Sequence, residues 1–202
     1  MEPELKDLVQ TRIPTQYGEF SLHYYSNNID EKEHIALVCG EVAHKGNVPV
    51  RIHSECFTGD VLGSRRCDCG EQLDMAMQII CSTGLGVLIY LRQEGRGIGL
   101  LKKLQAYNLQ DDGLDTVDAN IKLGHLPDER EYTLAALILN KLQVDSVNLI
   151  TNNPKKINEL TGLGIQVKER IPIETAYHPD NLAYLKAKAE KMDHLLSFPK
   201  KD

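Results

Sequence analysis

Short apolar runs rich in β-branched residues alternate with segments of helical periodicity along most of this chain. The apolar runs are bounded by turn residues, and they predict strands at 34–42, 48–55, 86–91, 146–151 and 165–173. Apolar positions recurring every three or four residues predict helices at 71–82, 98–110, 129–143, 154–163 and 181–196.

The order of these elements favours an α/β (α+β) fold, in which helices pack on a mixed β-sheet. The strand-rich N-terminal third indicates that part of this sheet is antiparallel. A chain of 202 residues suits one domain, and no repeat or linker divides it, so we predict a single domain over 1–202. The last residues, 197–202, are predicted to form a loose tail.

Composition narrows the classes of partner. No apolar run reaches the roughly 18 residues of a membrane span, and the acidic N-terminus lacks the pattern of a signal peptide, so we expect a cytoplasmic protein without a membrane partner. The formal net charge of −6 disfavours a protein that coats nucleic acid. A small anionic ligand stays compatible, because basic pairs such as Arg92/Arg96 and Lys155/Lys156 could line a cleft.

Three of the five cysteines, Cys56, Cys67 and Cys69, form a C-x10-C-x-C pattern. A reducing compartment disfavours disulfides, so this cluster is better explained by metal binding or catalysis. Thiolates select zinc among the common metals. Three protein ligands with one open position are typical of a catalytic zinc, whereas a structural zinc has four.

A fourth ligand could close the site. Cys39 lies in a predicted strand and Cys81 on the apolar face of a predicted helix, so both fit core thiols better. His53 is the more serious candidate, because it lies three residues before Cys56.

A glycine-rich turn, "RQEGRGIGLLKK", follows the predicted strand 86–91 and precedes a helix. Its glycines, with arginines beside them, suit a bound phosphate, although such glycines also serve purely conformational needs. The spacing matches neither the Walker A motif nor the dinucleotide fingerprint.

Together with "DTVDAN", "LGHLPDEREYTLAALIL" and "LITNNPKKINEL", these motifs closely resemble GTP cyclohydrolase II in order and spacing, from about residue 10 to residue 196. The resemblance implies a Zn2+- and Mg2+-dependent homodimer that begins riboflavin biosynthesis. Such an enzyme hydrolyses GTP to formate, pyrophosphate and 2,5-diamino-6-(5-phosphoribosylamino)pyrimidin-4(3H)-one. We expect the monofunctional form, without a dihydroxybutanone phosphate synthase domain.

The resemblance also implies a role for individual residues. It makes Cys56, Cys67 and Cys69 the zinc ligands, places Tyr107 near the reacting base, and makes Asp128 and Arg130 the proton acceptor and nucleophile at the α-phosphate. The implied GTP contacts are Arg51, Ile52, His53, Ser54, Glu55, Gln72, Glu94, Gly95, Arg96, Thr116, Thr151 and Lys156.

The chemistry of these residue types supports some roles more than others. The Glu94 carboxylate can accept hydrogen bonds from the guanine edge, and arginine and lysine suit phosphates. A guanidinium is always protonated, which favours Arg130 as a clamp on phosphoryl charge over a nucleophile.

Structural explanations compete with several of these roles. Gln72 and Thr116 could be scaffold hydrogen bonders, and Tyr107 could be an ordinary helix aromatic at the edge of the core. Asp128 could be the N-cap of the helix predicted to begin near Glu129.

Two other functions are kept open. The first is a purine-triphosphate hydrolase of the same fold that stops at a formamido product. The second is a zinc-stabilised nucleic-acid-binding module, which the acidic charge and an aromatic content of 5% disfavour.

Overall fold

The computed structural model describes residues 2–198 and is built on a seven-stranded sheet with the strand order β1-β2-β3-β5-β4-β6-β7. The predicted α/β fold with a mixed sheet is therefore confirmed. The strands are β1 (Leu5–Thr15), β2 (Gly18–Asn27), β3 (His34–Cys39), β4 (Val48–Ser54), β5 (Gly86–Leu91), β6 (Val147–Ile150) and β7 (Val167–Ile171).

The sheet has an antiparallel half and a parallel half. Strands β1, β2, β3 and β5 pair antiparallel, as the strand-rich first third of the sequence indicated, whereas β5, β4, β6 and β7 pair parallel. The carboxyl ends of β4, β5 and β6 consequently meet at one edge of the sheet. In open α/β sheets this edge is the usual place for a ligand.

Helices cover both faces of the sheet. On β5, Val87 and Ile89 pack in the core that also contains Leu139, whereas Leu88 packs with Ile80 on the opposite face. This alternation follows from the two-residue period of a strand. The helices are α1 (Phe57–Asp60), α2 (Cys69–Thr83), α3 (Leu100–Asp111), α4 (Thr116–Lys122), α5 (Thr133–Lys141), α6 (Pro154–Gly162) and α7 (Leu182–Met192), with a 3-10 turn at Glu94–Gly97.

Two helix boundaries differ from the prediction for conformational reasons. Helix α3 begins at Leu100, because Arg96 and Gly99 before it have left-handed φ angles of 64° and 85°. Helix α7 ends at Met192 rather than 196, since Asp193 adopts a φ of 54°. A helix cannot continue through such residues.

The start predicted for the helix 129–143 was wrong. Helix α5 begins at Thr133, and its N-cap is Tyr132, so Asp128 is not a helix cap. Instead, the Asp128 carboxylate accepts hydrogen bonds from the backbone and the side chain of Arg130. The segment before α5 is thus held by side-chain contacts in place of helical hydrogen bonds.

Helix α4 was not predicted, although its capping signal is present in the sequence. Asp115 is the N-cap, and its Oδ1 accepts from the backbone N–H groups of Val117 and Asp118 at 2.8 and 3.1 Å. Seven residues carry too little periodicity to be recognised as a helix by pattern alone.

Part of the predicted loose tail can be located. The Phe198 ring lies 5.4 Å from the Tyr177 ring, and Ser197 Oγ donates to Glu174 Oε1 at 3.1 Å. Residues 199–202, the rest of that predicted tail, lie outside the described residues. Within residues 2–198, no helix has both the length and the apolar character that crossing a membrane requires.

Candidate active site

A cleft opens at the edge of the sheet where β4, β5 and β6 end. The turns that leave these three strands form much of its wall, and residues from α2, α3, α4, α6 and α7 add to it.

All of the predicted site residues line this cleft except Ile52 and Asp128. The Ile52 side chain is buried in the core, but its carbonyl oxygen accepts a hydrogen bond from Lys156 Nζ at 2.7 Å. Asp128 lies behind Arg130 and holds it. The predicted residues that do line the cleft are Arg51, His53, Ser54, Glu55, Cys56, Cys67, Cys69, Gln72, Glu94, Gly95, Arg96, Tyr107, Thr116, Arg130, Thr151 and Lys156.

The three cysteine sulfurs converge in the lining of the cleft. The Sγ atoms of Cys56, Cys67 and Cys69 all lie within 4.8 Å of one another, and those of Cys56 and Cys67 are 3.6 Å apart. Ligand sulfurs about 2.3 Å from a tetrahedral zinc would stand roughly 3.8 Å apart. A Cβ on Gly59 would lie about 3.0 Å from the Cys67 sulfur, so α1 can approach the cluster only with glycine there.

The alternative fourth ligands lie elsewhere. His53 Nε2 is 3.0 Å from both carboxylate oxygens of Asp60, so this imidazole is engaged by a carboxylate. Cys39 and Cys81 belong to the core cluster that contains Ile80. Within residues 2–198, the three cysteines are the only group of His, Cys, Asp and Glu side chains spaced to hold a metal ion, and no fourth such residue joins them.

Asp60 organises the wall beside the cysteines. Its Oδ2 accepts from the backbone N–H of Cys56 at 3.0 Å and from the Tyr90 hydroxyl at 2.8 Å. Burial lowers the pKa of His53, and the hydrogen bond to Asp60 opposes this only in part. The turn that carries the first predicted zinc ligand is thus fixed by a buried carboxylate.

Glu94 and Lys103 form an ion pair next to the first cysteine. Lys103 Nζ donates to Glu94 Oε1 at 2.8 Å and to Cys56 Sγ at 3.0 Å. Glu94 Oε1 also accepts from the N–H of Gly95, and Oε2 accepts from the N–H of Phe57. Since a carboxylate has about four acceptor positions, Glu94 keeps roughly one for a ligand.

Tyr107, on α3, lies close to the turn that carries Cys56. Its hydroxyl lies 3.2 Å from Thr58 Oγ1, and burial raises its pKa. The Arg66 guanidinium lies 4.9 Å from the ring centroid. Tyr107 therefore points a neutral hydroxyl towards the cysteine turn.

A network of side chains links the sheet to α7 through Asp68, the residue between Cys67 and Cys69. Arg51 Nη2 donates to Gln72 Oε1, Gln72 Nε2 donates to Asp68 Oδ2, and Lys188 Nζ donates to Asp68 Oδ1 at 2.7 Å. Gln72 thus behaves as the scaffold hydrogen bonder that was one of its two predicted roles. This network holds Lys188 directly on the Asp68 carboxylate and links Arg51 to the same carboxylate through Gln72.

Arg130 and Lys156 add further positive charge. Asp128 accepts from Arg130 Nε at 2.8 Å and from Nη2 at 2.6 Å, which leaves Nη1 outside this pair. Burial alone would lower the pKa of Arg130, but the Tyr132 phenol and the Asp128 carboxylate more than offset it and raise that pKa. Burial, followed by repulsion from Arg51 and Arg130, lowers the pKa of Lys156.

Two buried arginine donors in the cleft have no protein partner in the described part of the chain. Arg51 Nε and Arg96 Nη2 are buried without a hydrogen bond within residues 2–198. Buried donors of this kind are rare, and they indicate a missing ligand or water. With six arginine and lysine side chains in the lining of the cleft, the missing ligand best matches a polyanion.

The remaining predicted contacts differ in how firmly they are held. Glu55 Oε2 accepts from Arg92 Nε at 2.9 Å, and Thr151 Oγ1 accepts from the N–H of Asn153 at 3.1 Å. Ser54 Oγ is buried without a partner in the described part of the chain. Gly95 and Thr116 line the cleft as predicted positions.

Sequence reasoning missed four titratable residues that line the cleft. Lys103 was noted only as part of a basic pair, and its position four residues after a glycine-rich turn was the available signal. Tyr184, Lys188 and His194 belong to α7 and the turn after it, where the sequence shows only an amphipathic helix. The Arg96 guanidinium lies 5.7 Å from the Tyr184 ring centroid, so the C-terminal segment contacts the glycine-rich turn.

Comparison with known proteins gives a consistent assignment. The family model described as GTP cyclohydrolase II matches residues 6–172. A GTP cyclohydrolase-2 from Hahella chejuensis is 50% identical over 186 residues, which cover 92% of this chain and 90% of that protein. The riboflavin biosynthesis protein RibBA of Chlamydia muridarum is 57% identical over 189 residues, 93% of this chain.

The relatives differ in length. This chain spans 45% of the Chlamydia muridarum protein, or about half of that longer relative. A solved two-domain 3,4-dihydroxy-2-butanone 4-phosphate synthase from A. baumannii shows 23% identity and a TM-score of 0.48, over 85% of this chain and 40% of that one. That structural similarity is too distant to bear on the assignment. The family model matches most of this chain, and the Hahella chejuensis protein is 50% identical over 90% of its own length. This chain therefore belongs to the GTP cyclohydrolase II family.

Proposed function

We propose that this protein hydrolyses GTP to formate, pyrophosphate and 2,5-diamino-6-(5-phosphoribosylamino)pyrimidin-4(3H)-one, the reaction that begins riboflavin biosynthesis. The observation that carries the proposal is the presence of two unlike centres in one cleft. A three-thiolate group and buried cations with free donors line the same cleft. A purine triphosphate has a reactive ring and a polyanion at its opposite ends.

The cysteine group fits zinc in ligand type, number and sulfur spacing. When bound by Cys56, Cys67 and Cys69, the zinc would supply a Lewis acid and an activated water for opening the imidazole ring at C8. The residues around it have separate tasks. Asp60 fixes the Cys56 turn, and the neutral Tyr107 hydroxyl can hydrogen-bond to the base.

Recognition of guanine is assigned to Glu94. Its remaining acceptor position can take one N–H of the guanine edge, and adenine offers an acceptor at N1 instead. Because the carboxylate is fixed by Lys103 and two backbone N–H groups, it cannot rotate to suit another base without losing these contacts. Rigid presentation of this kind favours specificity.

The triphosphate is assigned to the arginine and lysine side chains of the cleft. Arg130, held by Asp128, is positioned as a clamp on the charge that develops during cleavage at the α-phosphate. Lys156, Arg51 and Arg96 supply further donors. Mg2+ would accompany the triphosphate, as it does in other phosphoryl chemistry. The homodimer and the cytoplasmic location are proposed from the family resemblance and the composition.

Incubation of the zinc-loaded protein with GTP and Mg2+ tests the proposal. We expect formate and pyrophosphate in equal amounts, together with the absorbance of the pyrimidine product. Release of pyrophosphate without formate would instead support the enzyme that stops at a formamido product. Intact GTP after prolonged incubation with folded, metal-loaded protein would contradict both.

A further inference from the structure

The ammonium of Lys103 contacts a predicted metal ligand directly. Lys103 Nζ donates to Cys56 Sγ at 3.0 Å, and its side chain is only 11% exposed. Within residues 2–198, Cys56 is the one cysteine of the three whose sulfur accepts from a lysine or arginine. The contact is therefore specific to one sulfur of the cluster.

The charge of the cluster explains why such a contact matters. Three thiolates around Zn2+ sum to a net charge of −1, and strong donation from sulfur makes the metal a weaker Lewis acid. An N–H donor on a ligand sulfur withdraws electron density from the metal, and hydrogen bonds to a cysteine sulfur tune metal sites in this way. A cation in place of a neutral donor also cancels the excess charge.

The geometry also ties Lys103 to the predicted guanine contact. Glu94 Oε1 accepts from Lys103 at 2.8 Å, while Glu94 Oε2 accepts from the N–H of Phe57, the residue after Cys56. Glu94 and Lys103 thus enclose Cys56 from two sides. A lysine that served only to pair with Glu94 would not need to reach the sulfur.

We propose that Lys103 is a positioning residue for the metal centre, which neutralises the three-thiolate site through Cys56 and so keeps the bound metal electrophilic. This inference rests on the proposed zinc site and adds a residue to it. Lys103 acts through Cys56 and is not itself a metal ligand.

Cobalt(II) in place of zinc reports on this contact without turnover. The sulfur-to-cobalt charge-transfer band lies at lower energy when the ligand sulfur is more electron-rich. Lys103→Met should therefore shift this band to longer wavelength, and Lys103→Arg, which keeps the charge, should return it towards the wild-type position. Lys102→Met is the matched control on the same helix, and it should leave the band unchanged.

Loss of Lys103 alone leaves the buried Glu94 carboxylate without its ion pair, and this could unfold the protein. The double variant Lys103→Met/Glu94→Gln removes both charges and should show the same shift as Lys103→Met. Glu94→Gln alone keeps Lys103 and should retain the wild-type band. In the zinc-loaded Lys103→Met variant, formate release should fall about 10- to 100-fold, the usual loss for an outer-shell partner of a metal ligand.

Three results would contradict the proposal or the metal site on which it rests. A wild-type band in both Lys103→Met and the double variant would overturn the proposal. An equal shift in Glu94→Gln would also overturn it, because Lys103 would then act only by holding Glu94. If the wild-type protein shows no thiolate-to-cobalt band, the metal site itself is wrong, and the proposed function fails with it.

Discussion

Asp128 and Arg130 form a two-point ion pair within one loop, with Asp128 Oδ1 accepting from Arg130 Nε at 2.8 Å and Oδ2 from Nη2 at 2.6 Å. The side chains are 8% and 13% exposed, so the guanidinium is fixed in orientation as well as charge. The raised pKa of Arg130 and the lowered pKa of Asp128 both favour the charged forms of this pair, which supports Arg130 as a clamp.

Arg130→Ala should lower pyrophosphate release by about 100-fold or more, because a preorganised donor to a transition state is commonly worth this much. Arg130→Lys should recover little, since a lysine cannot reproduce the two-point contact with Asp128. Steady-state assays of pyrophosphate measure both. Circular dichroism and a melting curve must first show that each variant is folded.

Because Arg130 is protonated in this ion pair, we predict that it is never covalently modified. Mass spectrometry of enzyme quenched during turnover should show the unmodified mass, since a protonated guanidinium has no lone pair to attack phosphorus. A guanylyl adduct on Arg130 would show that it is a nucleophile rather than a clamp.

Cys69→Ser should reduce bound zinc from about one per chain to little or none, because a hydroxyl is a poor zinc ligand. Formate release should disappear, while pyrophosphate release continues and yields GMP, since the Asp128–Arg130 pair is unchanged. Cys81→Ser, on the same helix but outside the cluster, is the matched control and should behave as wild type. Loss of both products in a folded Cys69→Ser variant would refute two independent centres.

ATP should be turned over at least about 1000-fold more slowly than GTP if Glu94 selects the base, since a site built around a hydrogen bond strongly rejects a partner that lacks it. Glu94→Gln should lose GTP turnover, because one amide N–H would point at Lys103 or at the N–H of Phe57. Competition assays with both nucleotides measure the ratio. Similar turnover of ATP and GTP would remove Glu94 from this role.

Acidification should destabilise the protein through His194. Burial, then repulsion from Lys188, Arg130, Arg96 and Lys156, lowers the pKa of His194 to about 2. The unfolded chain binds a proton on this residue near pH 6.5 while the folded protein does not, so stability is lost as pH falls below 6.5. Protonation of His194 in the unfolded chain should lower the free energy of unfolding by about 1.4 kcal/mol between pH 7.5 and 5.5.

Urea unfolding of wild type and His194→Gln at a series of pH values checks this. The variant should lose less stability than wild type below pH 6.5, and the two curves should run parallel above pH 7.5, where the imidazole is neutral in both states. If wild type and His194→Gln lose the same free energy of unfolding down to pH 5.5, His194 is not a buried, neutral imidazole in the folded protein.

Local sequence patterns determined much of this protein. The β-branched runs located five of the seven strands, and the C-x10-C-x-C spacing identified the three cysteines that converge. The resemblance to GTP cyclohydrolase II named 16 of the residues that line the cleft. These signals are readable because strand alternation, turn chemistry and ligand spacing are properties of residues close together in the chain.

Only the tertiary structure decided which distant residues meet. The contact of Lys103 with Cys56 joins positions 47 residues apart, and it exists because β4 and β5 are parallel neighbours whose carboxyl ends adjoin. Helix α5 begins at Thr133, and Asp128, which carries a local capping signal, pairs with Arg130 instead. The placement of Lys188 and His194 over the cleft follows from the packing of α7, since an amphipathic pattern specifies that a face is buried but not which partner buries it.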